Sequence, residues 1–208
     1  MILDPLLVRS QELSIKIHAK LDLTSEIQFD RIRTSHIACQ LSVEHWDATR
    51  ILFGGGYITS AISLHRLQFE ALVRSYWLRF AASDEQVGKV AVEQLDLETE
   101  QQAKNLPAVA DMMKALSSAA PGPAYQDLNG FRDNSWKHLN SYVHAGVHPL
   151  YRMDDGYPVR FVEDVIKMTN GLGIMAGKLA SDIVGGRFHM KETQSYCYEF
   201  RDCMPDFL

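Results

Sequence analysis

Residues 57–82, YITSAISLHRLQFEALVRSYWLRFAA, decide the fold class. Tyr57, Ile58, Ala61, Ile62, Leu72, Val73, Tyr76, Trp77 and Phe80 recur at steps of three and four, which gathers them on one face of a long helix. Working outward, the same periodicity returns on both sides. Upstream, Gly54-Gly55-Gly56 breaks a helix that carries Ile27, Ile32, Ile37, Leu41 and Trp46 toward Phe53, with Thr24 and Ser25 placed to cap its start. Before that, Asp4 followed by Pro5 reads as an N-cap with proline at N1, and Leu6, Leu13, Ile17 and Leu21 line one face. Downstream, Ser83 and Gln86 have the spacing of a capping box that opens a helix from 84 to about 105. Pro107 starts a short helix that stops before Pro121-Gly122-Pro123, and another runs over about 125–146. HPLYRMDDGYP (148–158) reads as a loop with Asp155-Gly156 as its turn. Helices over about 159–184, ended by Gly185-Gly186, and about 190–203 complete the chain. No stretch alternates with period two. The expectation is one all-α domain over 1–208, a bundle of roughly five to eight helices.

The totals narrow the class of function. A 46% hydrophobic and 23% charged chain of 208 residues can bury a sizeable core and has the composition of an ordinary soluble protein. The net charge of -5 argues against a surface broadly coated by nucleic acid, and no DNA partner is expected, while a local basic cleft stays open. Cys39, Cys197 and Cys203 form no close CxxC pair, and an odd count suits a reducing compartment. ILFGGGYITSAISL (51–64) is too short and glycine-rich to span a bilayer, and the N-terminus lacks a secretory pattern. A cytoplasmic protein without membrane contact is expected.

Chemistry concentrates in WKHLNSYVHAGVHP (136–149), which holds three of the eight histidines. Read as one helix, Asp133, Lys137, Asn140, Ser141, His144 and His148 form a polar stripe, against an apolar stripe of Trp136, Leu139, Val143 and Val147. Three readings stand side by side. His144 and His148, four apart, could present two imidazoles to a metal, although HExxH and ExxH patterns are absent. Alternatively, Lys137 and His144 are nearly eclipsed, so an imidazole acid–base and a cation could cleave a phosphodiester without metal, with Asn140 holding the ring or a phosphate oxygen. The third reading makes these histidines ordinary hydrogen-bonding residues on a bundle seam.

LNSYVHAG (139–146) resembles the signature of the HEPN superfamily, all-α proteins found in toxins, abortive-infection systems and CRISPR ribonucleases. That signature is an Arg, usually followed by a polar residue such as Asn, then a His after four to six residues. Here Asn140 and His144 match, Leu139 stands where the Arg is expected, and Lys137 is the nearest upstream cation. Arg132-Asp133 followed by His138 satisfies the spacing too, but YVHAG makes His144 the closer fit. RLQFEALVRSYWL (66–78) resembles the Arg-x-x-x-Glu helix of bacterial HEPN-like proteins that carry a later Tyr-Val-His-Gly-type motif. The resemblance implies a four- to five-helix core and a homodimer, with a composite site where the two histidine helices meet. RNA is the partner it implies and metal-independent endoribonuclease chemistry the activity, in bacterial defence or stress and without a cofactor.

Arg66, Glu70 and Arg74 fall at i, i+4 and i+8 on one stripe. A solvated face with weak ion pairs explains them. The functional alternative turns the stripe inward opposite His144, so that Arg66 and Arg74 supply the cation that Leu139 does not and Glu70 orients a histidine. The rival to the nuclease is a non-catalytic interaction or ligand-binding bundle without the active-site Arg, favoured by Leu139 and the acidic total. Other candidates are weaker: the triple glycine lacks the Lys-Ser/Thr of a P-loop, His36, Glu44, His45 and Asp47 share no face, and EQLDLETE (93–100) reads as a solvated face.

Overall fold

Two long antiparallel helices joined at the triple glycine form the spine of the molecule. In the computed structural model, which describes residues 3–21, 29–94, 96–103, 105–183 and 187–206, these are α2 (Asp30–Gly54) and α3 (Ile58–Phe80). The reversal is made at Gly56, whose φ of +80° lies in the left-handed region that glycine enters without a Cβ clash. The other helices are α1 (Asp4–Leu21), α4 (Asp84–Gly88), α5 (Leu97–Ala103), α6 (Val109–Ala119), α7 (Gly122–Val143), α8 (Val147–Asp155), α9 (Val159–Ile183) and α10 (Arg187–Glu199), followed by a 3-10 turn at Arg201–Cys203. The chain is all-α, with no strand among the described residues.

The apolar face of α3 is buried as its spacing requires, with Ala61, Ile62, Phe69, Leu72, Val73, Tyr76 and Trp77 in the core. The face of α2 differs from expectation. Ile37 and Leu41 are exposed, while Ser35, Cys39, Ser42, Val43, Trp46, Thr49 and Phe53 turn inward. Small residues let α2 and α3 approach closely, and their hydroxyls are satisfied on the facing backbone. Ser35 Oγ donates to the Ser75 carbonyl at 2.9 Å, Ser75 Oγ returns a bond to the Ser35 carbonyl at 2.7 Å, and Ser42 Oγ donates to the Gln68 carbonyl at 2.9 Å. The Thr24–Ser25 cap lies outside the described residues, as do Ile27 and Gly185-Gly186.

α9 packs against α1, α2, α3 and α10. Gly173 and Gly177 admit close neighbours: a Cβ would stand 2.6 Å from the Trp46 ring at the first and 2.6 Å from Ile17 Cδ1 at the second. Asn170, fully buried, ties four segments together. Its Oδ1 accepts from Trp46 Nε1 at 3.0 Å, and its Nδ2 donates to Ser10 Oγ and to the Cys203 carbonyl, both at 2.8 Å.

Three expectations change. The capping box forms, with Ser83 Oγ accepting from the Gln86 N–H, but the helix it opens ends at Gly88 instead of running to about 105, because Val87 is the only buried residue it can offer the core. The segment expected as a loop contains α8. The histidine helix stops at Val143, so His144 and His148 do not share one helix. Among the described residues, no helix is long and apolar enough to cross a membrane.

Candidate functional site

The candidate site begins at the seam between α3 and α7, which run antiparallel. Arg66 spans that seam. Its Nε donates to Glu70 Oε1 at 2.8 Å, its Nη2 lies 2.8 Å from the same oxygen, and its Nη1 donates to Asn140 Oδ1 at 2.7 Å. The guanidinium lies 3.8 Å from the centre of the Trp136 ring, and Trp136 meets Phe69 edge-on at 5.4 Å. Helical spacing makes this possible: Arg66 and Glu70 are four apart on α3, and Trp136 and Asn140 four apart on α7. Only 11% of the Arg66 side chain is exposed. Its donors are turned to protein acceptors, so it fixes Asn140 instead of standing free as a phosphate-side cation.

Antiparallel pairing separates the remaining members of the charged stripe from His144. His144 lies one turn beyond Asn140, toward the start of α3, while Glu70 and Arg74 lie the other way. At about 1.5 Å per residue, Arg74 is roughly 18 Å from His144 along the bundle and Glu70 roughly 12 Å. Glu70 therefore holds Arg66 and does not orient the histidine. Arg74 is half-buried, with its Nε sealed from water and without a hydrogen-bond partner among the described residues. Lys137 lies on α7, but its side chain is outside the described residues. Leu139, which stands where the resemblance expects an Arg, is buried and belongs to the core.

At His144 the chain leaves α7, and it turns through Ala145 at φ +48°. The Gly146 N–H closes the turn on the Ser141 carbonyl at 2.7 Å, and Ser141 Oγ accepts from the His148 N–H at 3.1 Å, capping α8. A Cβ at Gly146 would stand 2.5 Å from Ser141 Oγ, so a larger residue here would displace the hydroxyl that receives the His148 N–H. The His144 imidazole is exposed and makes no hydrogen bond or ion pair among the described residues.

Other groups gather around this turn. The His138 and His148 rings are 5.5 Å apart, edge to face, and Tyr142 stacks beside His148 at 6.4 Å. Arg152 follows His148 by one turn of α8. Asp155 lies 3.5 Å from it, and the Arg152 charge opposes the upward shift of the Tyr142 hydroxyl. Burial, with Tyr157 alongside, pushes that hydroxyl up to about 12. Tyr157 in turn bonds Thr59 Oγ1 at 2.7 Å. Arg152 and Tyr157 escaped sequence reasoning because 148–158 reads as a loop, and Tyr142, although inside the quoted motif, because its partners come from that segment. An i, i+4 pairing of His148 with Arg152 was the available signal. Among the described residues, no three His, Cys, Asp or Glu side chains are gathered as a metal would require.

One histidine of α3, His65, is a core residue. It is 1% exposed, 4.9 Å edge-on from Phe131, and burial, opposed by a long contact to Gln68, lowers it to about 4.

The chain belongs to a family of unknown function (DUF6988), whose profile matches residues 39–206. That span takes in the Arg66–Glu70 pair and the whole α7–α8 corner. No curated protein and no solved structure matches the chain.

Proposed function

We propose that this protein is an HEPN-like bundle that binds RNA at the α7–α8 corner and cleaves it without metal. The observation that carries the reading is an exposed, unpartnered His144 one turn from an Asn140 that Arg66 holds in place. His144 takes the proton of a ribose 2′-hydroxyl. That oxygen attacks the adjacent phosphorus, and the departing 5′-oxygen collects a proton from a second imidazole. Arg152 is the cation that stabilises the charge building on the phosphate, with Lys137, seven residues before His144, as a second.

The second imidazole comes from another copy of the chain. Val147, Leu150 and Tyr151 are exposed on one face of α8 and continue from Val143, giving an apolar surface on which two copies can bring their His144 residues together. Fluorescence anisotropy with a single-stranded RNA tests the binding. Arg152→Ala and Asn140→Ala are expected to weaken it about tenfold and Arg74→Ala to leave it alone. Equal affinity in all four proteins would remove the corner as the RNA site.

A second reading is favoured by Arg66 itself. With its donors spent on Glu70 and Asn140, the seam has the form of a structural clamp, and a bundle that binds a partner without catalysis is consistent with it. The metal reading using His144 and His148 loses its support, because the helix ends between them.

A further inference from the structure

A cavity of about 460 Å³ opens at the other end of α3, between Tyr76 and Phe80, the start of α7, and α9 and α10. Its volume falls in the range of small-molecule sites. The wall is apolar where Tyr76, Phe80, Pro123 and Leu179 line it, and charged where Asp127, Lys178, Asp182 and Lys191 do.

Two of its polar groups are engaged. Arg79 holds Asp182 through Nε and Nη2, both at 3.1 Å, and the Tyr76 hydroxyl donates to the Met175 carbonyl at 3.0 Å. Asp127 and Lys178 are not. Asp127 Oδ2 and Lys178 Nζ stand 3.9 Å apart, beyond hydrogen-bond length, and neither makes a hydrogen bond among the described residues although each is only 28% exposed. Burial pushes the Asp127 carboxyl upward, with Lys178 opposing. Lys191, at the mouth, has no partner among the described residues either.

Side-by-side opposite charges with unused hydrogen-bonding capacity select among ligands. A simple anion on Lys178 would strand Asp127 in a half-buried site, and a simple cation on Asp127 would face the Lys178 ammonium. A molecule that carries both signs on neighbouring atoms satisfies both at once, and an apolar body would cover the aromatic wall. We propose that this cavity binds a free α-amino acid with a large apolar side chain. Its ammonium meets Asp127, its carboxylate meets Lys178 and Lys191, and its side chain lies against Tyr76, Phe80 and Leu179. The site is separate from the α7–α8 corner and stands whether or not that corner binds RNA.

Isothermal titration calorimetry of the full chain with L-phenylalanine tests the assignment, beside 2-phenylethylamine, which lacks the carboxylate, and 3-phenylpropionate, which lacks the ammonium. Phenylalanine is expected to bind saturably, and each half-analogue about tenfold or more weaker, since each forfeits a charge-assisted contact. Lys178→Met, which leaves Lys191 to the carboxylate, is expected to weaken phenylalanine severalfold toward the affinity of 2-phenylethylamine, and Ala124→Trp, which fills the cavity, to abolish binding. The analogue series needs only the native protein, so a variant that fails to fold leaves the test intact. No heat with millimolar phenylalanine, a half-analogue that binds equally well, or undiminished binding to a folded Ala124→Trp protein would overturn the proposal.

Discussion

Replacing Asn170 by leucine should expose how much of this fold hangs on one buried amide. The side chains are close in volume, so the change removes hydrogen bonds without opening a large cavity. Trp46 Nε1–H loses its acceptor and the Cys203 carbonyl loses its donor, while Ser10 Oγ keeps its bond to the Leu6 carbonyl at 2.9 Å. Each orphaned buried group costs about 1–3 kcal/mol, which gives about 2–6 kcal/mol in all. Burying leucine instead of an amide offsets roughly 1–2 kcal/mol of this, leaving about 1–4 kcal/mol. For a chain of this length that lowers Tm by about 2–16 °C. Urea unfolding followed by far-UV circular dichroism would measure it, with an unchanged m-value showing that the unfolded state is not the cause. Combined with Trp46→Phe in a double-mutant cycle, the pair should couple by about 1 kcal/mol or more. A stability within about 0.5 kcal/mol of native would refute the reasoning, because no orphaned group would then be present.

Gly173→Ala should destabilise by about 1–2 kcal/mol in the same assay despite the better helix propensity of alanine, since its Cβ would stand 2.6 Å from a Trp46 ring that Asn170 holds in place. His65 should give stability a pH dependence. The unfolded chain takes a proton near pH 6.5 and the folded chain resists until about pH 4, so stability falls by about 3 kcal/mol as pH drops through that window, and His65→Leu should remove this contribution. Arg66→Lys should cost about 1–2 kcal/mol and speed amide exchange in the last turns of α7, because an ammonium cannot pair with Glu70, reach Asn140 and stack on Trp136 together.

The parts of the fold legible in the sequence are those where apolar spacing and local capping agree. α3 shows both its length and its face, and Ser83 and Gln86 announce their capping box. α2 hid much of its buried face because serine, threonine and cysteine stand there between Val43, Trp46 and Phe53, and their role comes from the close approach of α3. α8 was concealed by Pro149 and Asp155-Gly156. The proline sits in the first turn of the helix, where its missing N–H costs nothing, and the glycine lies just past the end. For the candidate site, the residue types in 136–149 were visible, but their partners were not. Arg66 meets Asn140, and Arg74 is carried away from His144, through the antiparallel packing of α3 on α7, which no local pattern encodes. Arg152 could be placed near the histidines only once α8 existed.

Incubation of the purified protein with a single-stranded RNA in excess chelator tests the central claim most directly, beside His144→Ala and a 2′-deoxy version of the same oligonucleotide. Cleavage of the RNA alone by the native protein, leaving 2′,3′-cyclic phosphate ends and slowed about 100-fold or more in His144→Ala, is the predicted result. An RNA left intact by the native protein, or cut equally well by a folded His144→Ala protein, would contradict it.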